Sequence, residues 1–127
     1  MKILKGIASL IVGAIVAAAL SACGGAKLSV ADEQYQRGEY FEAQKTYRKI
    51  YNKLTKREER PQRGAVAYKM GLCYDKLGMS ARASSAFANA VRYGYPDSTA
   101  TLLMARSLQA EGKYTPAAKA YEDFLKL

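Results

Sequence analysis

The chain has 127 residues, 50% of them hydrophobic and 24% charged, a composition that suits one small globular domain or a short repeat array and excludes a disordered or fibrous chain. Histidine is absent, which removes the commonest general base and the commonest metal ligand and so disfavours an enzyme. The net charge of +9 falls to +7 once Lys2 and Lys5 at the start of the chain are set aside, a surplus that suits anionic partners without naming one.

Lys2 and Lys5 form a short positive n-region, and the uncharged run "GIASLIVGAIVAAAL" follows. Its length fits a secretory h-region and is short for a bilayer span, which takes roughly 20 apolar residues. The run ends in Leu20-Ser21-Ala22-Cys23, which resembles a bacterial lipobox. That resemblance implies that residues 1–22 are a cleaved lipoprotein signal peptide. It further implies that Cys23 takes a diacylglycerol thioether, becomes the new N-terminus and is acylated on its amine. Several acyl chains hold a protein stably where one holds it marginally. Gly24 stands where an inner-membrane retention signal carries Asp. The sorting pattern then implies an outer-membrane location, lipid-anchored and facing the periplasm. No cofactor is expected beyond the covalent lipid on Cys23.

From residue 23 on, three segments align: "QRGEYFEAQKTYRKIYNKL", "DKLGMSARASSAFANAVRYGYP" and "AEGKYTPAAKAYEDFLKL". Each places a glycine, an alanine five residues later and an aromatic nine later: Gly38, Ala43 and Tyr47; Gly78, Ala83 and Phe87; Gly112, Ala117 and Tyr121. The last two glycines are 34 residues apart and the first two 40, an insertion of six. The stretch before each glycine also has helical periodicity, strongest at Ala67, Met70, Gly71, Tyr74 and Leu77. Thr101, Met104, Ala105 and Leu108 match it in the third segment. The first is weaker, with Val30 and Ala31 in place but Gln34 where an aromatic is preferred.

These positions resemble three tetratricopeptide repeats, at about 25–57, 64–97 and 98–127. The resemblance implies an all-α solenoid of helical hairpins. Small residues at Ala31, Gly71, Ala105, Ala43, Ala83 and Ala117 let paired helices approach, and the aromatics fill the space left between repeats. The three turn glycines adopt positive φ. Thr115-Pro116 is expected to supply an N-cap and first-turn proline, and Pro96-Asp97-Ser98 to end one repeat and cap the next. Tyr40, Tyr47, Tyr74, Tyr114 and Tyr121 are assigned to repeat packing, which leaves no row of aromatics for nucleic acid.

The insertion, about 55–63, reads as a solvated helix end and turn, with Pro61 breaking the helix. The basic residues in and beside it, Lys53, Lys56, Arg57, Arg60 and Arg63, are the other reading, a contact for lipid headgroups or an acidic partner. No phosphate-binding loop, metal cluster or activated nucleophile is present in the sequence. Cys73, between Leu72 and Tyr74, reads as a small buried hydrophobe.

Repeat arrays of this type present a concave groove lined mostly by the first helix of each pair. Groove-facing candidates are Asp32 and Tyr35 in the first repeat, Tyr68, Leu72, Asp75 and Lys76 in the second, and Leu102, Arg106 and Gln109 in the third. The Lys/Asn clamp of chaperone-binding repeats is missing, since Tyr68 and Leu72 stand in its place. A C-terminal-carboxylate receptor is therefore not expected.

The order "KMGLCY", "YGYPD" and "TLLMARSLQAEGKYTPAAKAYEDFL" is similar to the repeat segment of Bacteroidetes outer-membrane lipoproteins of type IX secretion and gliding. These are the SprE/PorW type and a relative that joins the repeats to a β-propeller and an OmpA-like domain. The likeness implies a non-catalytic scaffold binding other envelope proteins or peptides, with no nucleic acid among its partners. The alternative is an accessory lipoprotein of β-barrel assembly or peptidoglycan synthesis. The ending "YEDFLKL" has no polar capping element, and the relatives' architecture implies that sequence follows it.

Overall fold

The computed structural model describes residues 26–127. The leader and Cys23 lie outside the described residues. Six helices follow: α1 (Leu28–Gln36), α2 (Tyr40–Lys53), α3 (Arg60–Lys76), α4 (Ser80–Arg92), α5 (Thr99–Ala110) and α6 (Tyr114–Leu125). There are no strands among the described residues. Each helix packs mainly on its neighbours in sequence, so the chain forms three hairpins stacked in a row, α1–α2, α3–α4 and α5–α6. This is the all-α helical-hairpin array expected from the period.

The turns close in one way. Gly38, Gly78 and Gly112 have φ of 78°, 70° and 81°, and Gly94, which ends α4, has 80°. In each, the residue after the glycine donates its N–H five residues back, as Met79 does to Tyr74 O at 2.9 Å. The left-handed glycine thereby satisfies carbonyls that a helix end leaves without partners.

Ala31, Ala43, Ala83 and Ala105 are all fully buried, and Ala117 nearly so. The tightest approach is at Gly71, where an added Cβ would lie 2.5 Å from Cε1 of Phe87. Phe87 thus fills the gap inside its own hairpin, whereas the period assigned it to the gap between repeats. Tyr47, Phe87 and Cys73 are the largest side chains with under 2% exposure or close to it, and they sit in one cluster with Val66, Met70 and Tyr74. Tyr74 donates its buried hydroxyl to Gln44 Oε1 at 3.1 Å, a polar cross-link from α3 to α2. Burial pushes the Cys73 thiol up to about 12, which keeps it protonated and unreactive at neutral pH.

Several local expectations are corrected. Pro61 starts a helix rather than breaking one: α3 begins at Arg60, with the proline in its first turn, where no N–H is missed. The connection between the first two hairpins is a turn over 54–59, and Thr55 and Glu59 cap one another through reciprocal side-chain bonds across it. Thr115 is not an N-cap, because α6 already begins at Tyr114 and Lys113 holds the cap position without a side-chain bond. Tyr114 takes no part in packing, being 70% exposed, and Val30 also faces out. Of Pro96-Asp97-Ser98, the capping is done by Asp97, whose Oδ1 accepts from Thr99 N at 2.9 Å and Thr99 Oγ1 at 2.7 Å.

Candidate functional site

Because each helix leans on its sequence neighbours, the first helices of successive hairpins, α1 and α3, leave a hollow between them. It has a volume of about 260 Å³ and is lined by Asp32, Tyr35, Gln36, Tyr47, Lys69 and Leu72. The charged floor is a three-part network. Lys69 Nζ on α3 donates to Asp32 Oδ1 on α1 at 2.8 Å. Tyr47 on α2 donates its hydroxyl to the same Asp32 oxygen. One carboxylate therefore ties the first hairpin together and ties it to the second.

Burial on its own would raise the Asp32 pKa, but the bonds from Lys69 and Tyr47 outweigh it and hold the carboxyl below its usual 3.8. Asp32 is ionised at neutral pH. The Tyr47 hydroxyl is pushed up by burial and by the bond it gives to Asp32. Tyr35 sits above this floor, its ring edge-on to Tyr40 at 5.2 Å between centroids. Leu72 closes the α3 side. The hollow thus offers an apolar wall beside an ammonium whose other donors are free to meet a carbonyl or carboxylate, the features of a seat for one side chain of a bound peptide. It holds no nucleophile paired with a base.

Of the sequence-derived groove residues, the structure brings Asp32, Tyr35 and Leu72 to this hollow. Tyr68 lies elsewhere on α3, stacked on Tyr95 at 4.4 Å and tilted against Phe87 at 5.8 Å, so its ring braces the second hairpin against the linker to the third. Asp75 and Lys76 are exposed at the end of α3. Leu102 is half-buried and Arg106 exposed on α5, and neither borders the hollow. Gln109 accepts from the Tyr121 hydroxyl at 2.7 Å, which links α5 to α6.

Lys69 and Gln36 line the hollow and were not singled out from sequence. Lys69 was legible in principle, since it lies one residue from Tyr68 and three from Leu72. A lysine on a helix is usually solvated, however, and only Asp32 across the hollow gives it a place.

The fold and the groove define a class, a helical-hairpin interaction array. A family model described as tetratricopeptide repeat matches residues 65–98 and 99–127, the second and third hairpins. The described chain is thus an all-helical array with tetratricopeptide repeats, a fold that typically serves as a non-catalytic scaffold for protein partners. No curated protein and no solved structure matches. The first hairpin lies outside the family match yet is built like the other two, with its own Ala31/Ala43 approach and Gly38 turn. Among the described residues no group of side chains could hold a metal ion, and no helix is long and apolar enough to cross a membrane.

Proposed function

We propose that this chain is a non-catalytic scaffold held to the outer membrane by lipid on Cys23, whose α1/α3 hollow seats a peptide of another envelope protein. The observation that carries the reading is the hollow itself: an apolar wall of Tyr35 and Leu72 beside the Asp32–Lys69 pair, open on the side of the first helices. The lipobox residues Leu20 to Cys23 support the anchor, and the likeness to type IX secretion and gliding lipoproteins makes such an assembly the favoured setting. The lipid supplies attachment and no chemistry.

Two experiments test this. Cys23→Ala should abolish palmitate labelling and move the protein out of the outer-membrane fraction; unchanged labelling removes the lipoprotein reading. Crosslinking from intact membranes should capture secretion or gliding components, and Leu72→Glu, which puts a charge into the hollow, should lose them while the helical signal is kept. Capture of β-barrel assembly subunits instead would reassign the scaffold to envelope assembly. Capture that Leu72→Glu leaves intact would show that the partner sits elsewhere.

A further inference from the structure

The positive charge of the chain is not spread along it. Between Arg48 and Arg92 there are eleven basic residues against three acidic, whereas 26–47 carries three against four and 93–127 four against four. The whole surplus of the described residues therefore belongs to the end of α2, the following turn and the second hairpin.

In the middle of this region, away from the groove, a second hollow of about 440 Å³ opens between α2 and α4 over α3. Its floor is apolar, Met70 and Tyr74 from α3 with Ala86 from α4. Tyr74 is nearly buried and its hydroxyl is already bonded to Gln44, so it offers ring carbon rather than a polar group. At the rim stand Arg48 on α2 and Arg82 on α4, both exposed and in no ion pair among the described residues. The Arg82 guanidinium lies 6.0 Å from the Tyr74 ring centroid.

We infer that this hollow docks an acidic amphipathic segment of a partner protein, an apolar side chain seated on Met70 and Tyr74 and flanking carboxylates on Arg48 and Arg82. Two guanidinium forks in no ion pair among the described residues, both lining one hollow with an apolar floor, match carboxylates bidentately, and a helix supplies carboxylates and an apolar residue at that alternation. Arg, Met and Tyr are also the types that concentrate binding energy at protein interfaces. A flat anionic membrane would meet the rim and leave the floor empty, so the concave apolar floor favours a peptide. The inference concerns a different surface from the α1/α3 hollow and stands whether or not that hollow binds.

The test is a selection of short random peptides displayed against the full chain in mild detergent. The expected result is enrichment of sequences with Asp or Glu three or four residues from Leu, Ile or Phe. A fluorescent copy of the leading peptide should bind about tenfold more weakly to the Arg48→Glu/Arg82→Glu variant and more weakly as salt rises, while Lys119→Glu/Lys126→Glu, on α6 and just past its end, changes little. Both rim residues are exposed, so the variant should keep its far-ultraviolet circular dichroism. Enrichment of neutral or basic peptides, no enrichment, or equal binding to the rim variant overturns the inference. Phosphatidylglycerol vesicles that bind the wild type and not the rim variant, with no peptide enriched, would make the surface a membrane contact instead.

Discussion

A Cβ added to Gly71 falls 2.5, 2.6 and 2.9 Å from three carbons of the Phe87 ring, closer than real contacts come. The ring is completely buried and cannot swing away, so α3 and α4 must part instead. Overpacking of this kind costs about 1–3 kcal/mol, against which alanine regains about 1 kcal/mol of helix propensity over glycine. Gly71→Ala is therefore expected to lower the Tm through a net loss of up to about 2 kcal/mol, and adding Phe87→Leu should recover part of it. A variant at least as stable as the wild type would show that the hairpin can widen freely. The charged floor of the groove makes a second prediction at this scale. Asp32 has its pKa lowered in the folded state, so its contribution is present above its unfolded value near 3.8 and is lost as pH falls through the lower folded value. Thermal melts of the wild type should drop steeply below about pH 4, and part of that drop should vanish in Asp32→Asn. Asp97 and Glu111 are lowered too and add to the slope that Asp32→Asn leaves. If Asp32→Asn leaves the acid slope untouched, the bonds from Lys69 and Tyr47 do not survive in solution.

The junction of α2 with α3 is where a helix end depends on one distant side chain. Arg63, 6% exposed, donates to Tyr51 O at 2.9 Å and to Leu54 O at 2.7 Å, which strengthens a helix end where the backbone itself supplies Tyr51 O only with Leu54 N at 3.3 Å. Its guanidinium also lies 3.9 Å from the Tyr51 ring centroid and 5.0 Å from that of Tyr93. Such charge-assisted bonds contribute about 1.5–3 kcal/mol, and the planar fork can make two of them while stacking. Arg63→Met should thus cost about 1–3 kcal/mol, and Arg63→Lys should restore little of it, since an ammonium cannot stack and bridge at once. Full rescue by lysine would reduce the role to charge alone; guanidinium melts of the three proteins decide. This residue also shows where the sequence stops being legible. The Gly38, Gly78 and Gly112 turns and the alanine contacts follow from fixed spacing, because only small residues fit there and the period repeats them. Arg63 sits in a run of charges that reads as solvated, and nothing local says that Tyr51, Leu54 and Tyr93 converge on it. Asp32 and Lys69 are 37 residues apart and pair only because the second hairpin stacks on the first. A polar residue on a helix is compatible with solvent or with a partner, and the choice is made by the neighbouring repeat. Half of the α1/α3 hollow, namely Asp32, Tyr35 and Leu72, was therefore legible as the face of a first helix. The network that gives it a charge pattern was not.

Across the molecule, stability should be the sum of hairpins and of the contacts between them, because each helix touches mainly its sequence neighbours. The contacts between hairpins are as extensive as those within them. Ala67, Ala90 and Ala100 form a small buried cluster of their own, edged by Tyr51, Tyr68 and Tyr95, and this cluster joins the third hairpin to the second. Ala100 is completely buried there, so the larger side chain of Ala100→Leu has no room and should push α5 off α3 and α4 at a cost of about 1–3 kcal/mol. The loss falls on one boundary rather than on a hairpin. Hydrogen exchange should accordingly rise across α5 and α6 while α3 and α4 keep their protection, and the thermal transition should broaden or split. Gly71→Ala sets the contrast, because it weakens the middle hairpin on which both others lean and should lower a single transition. The distinction matters for the groove: Asp32, Lys69 and Leu72 lie in the first two hairpins, so Ala100→Leu should leave the α1/α3 hollow able to bind even as the third hairpin loosens. Uniform exchange across all six helices in Ala100→Leu would mean that the array opens as one unit. Binding at one end would then be felt at the other.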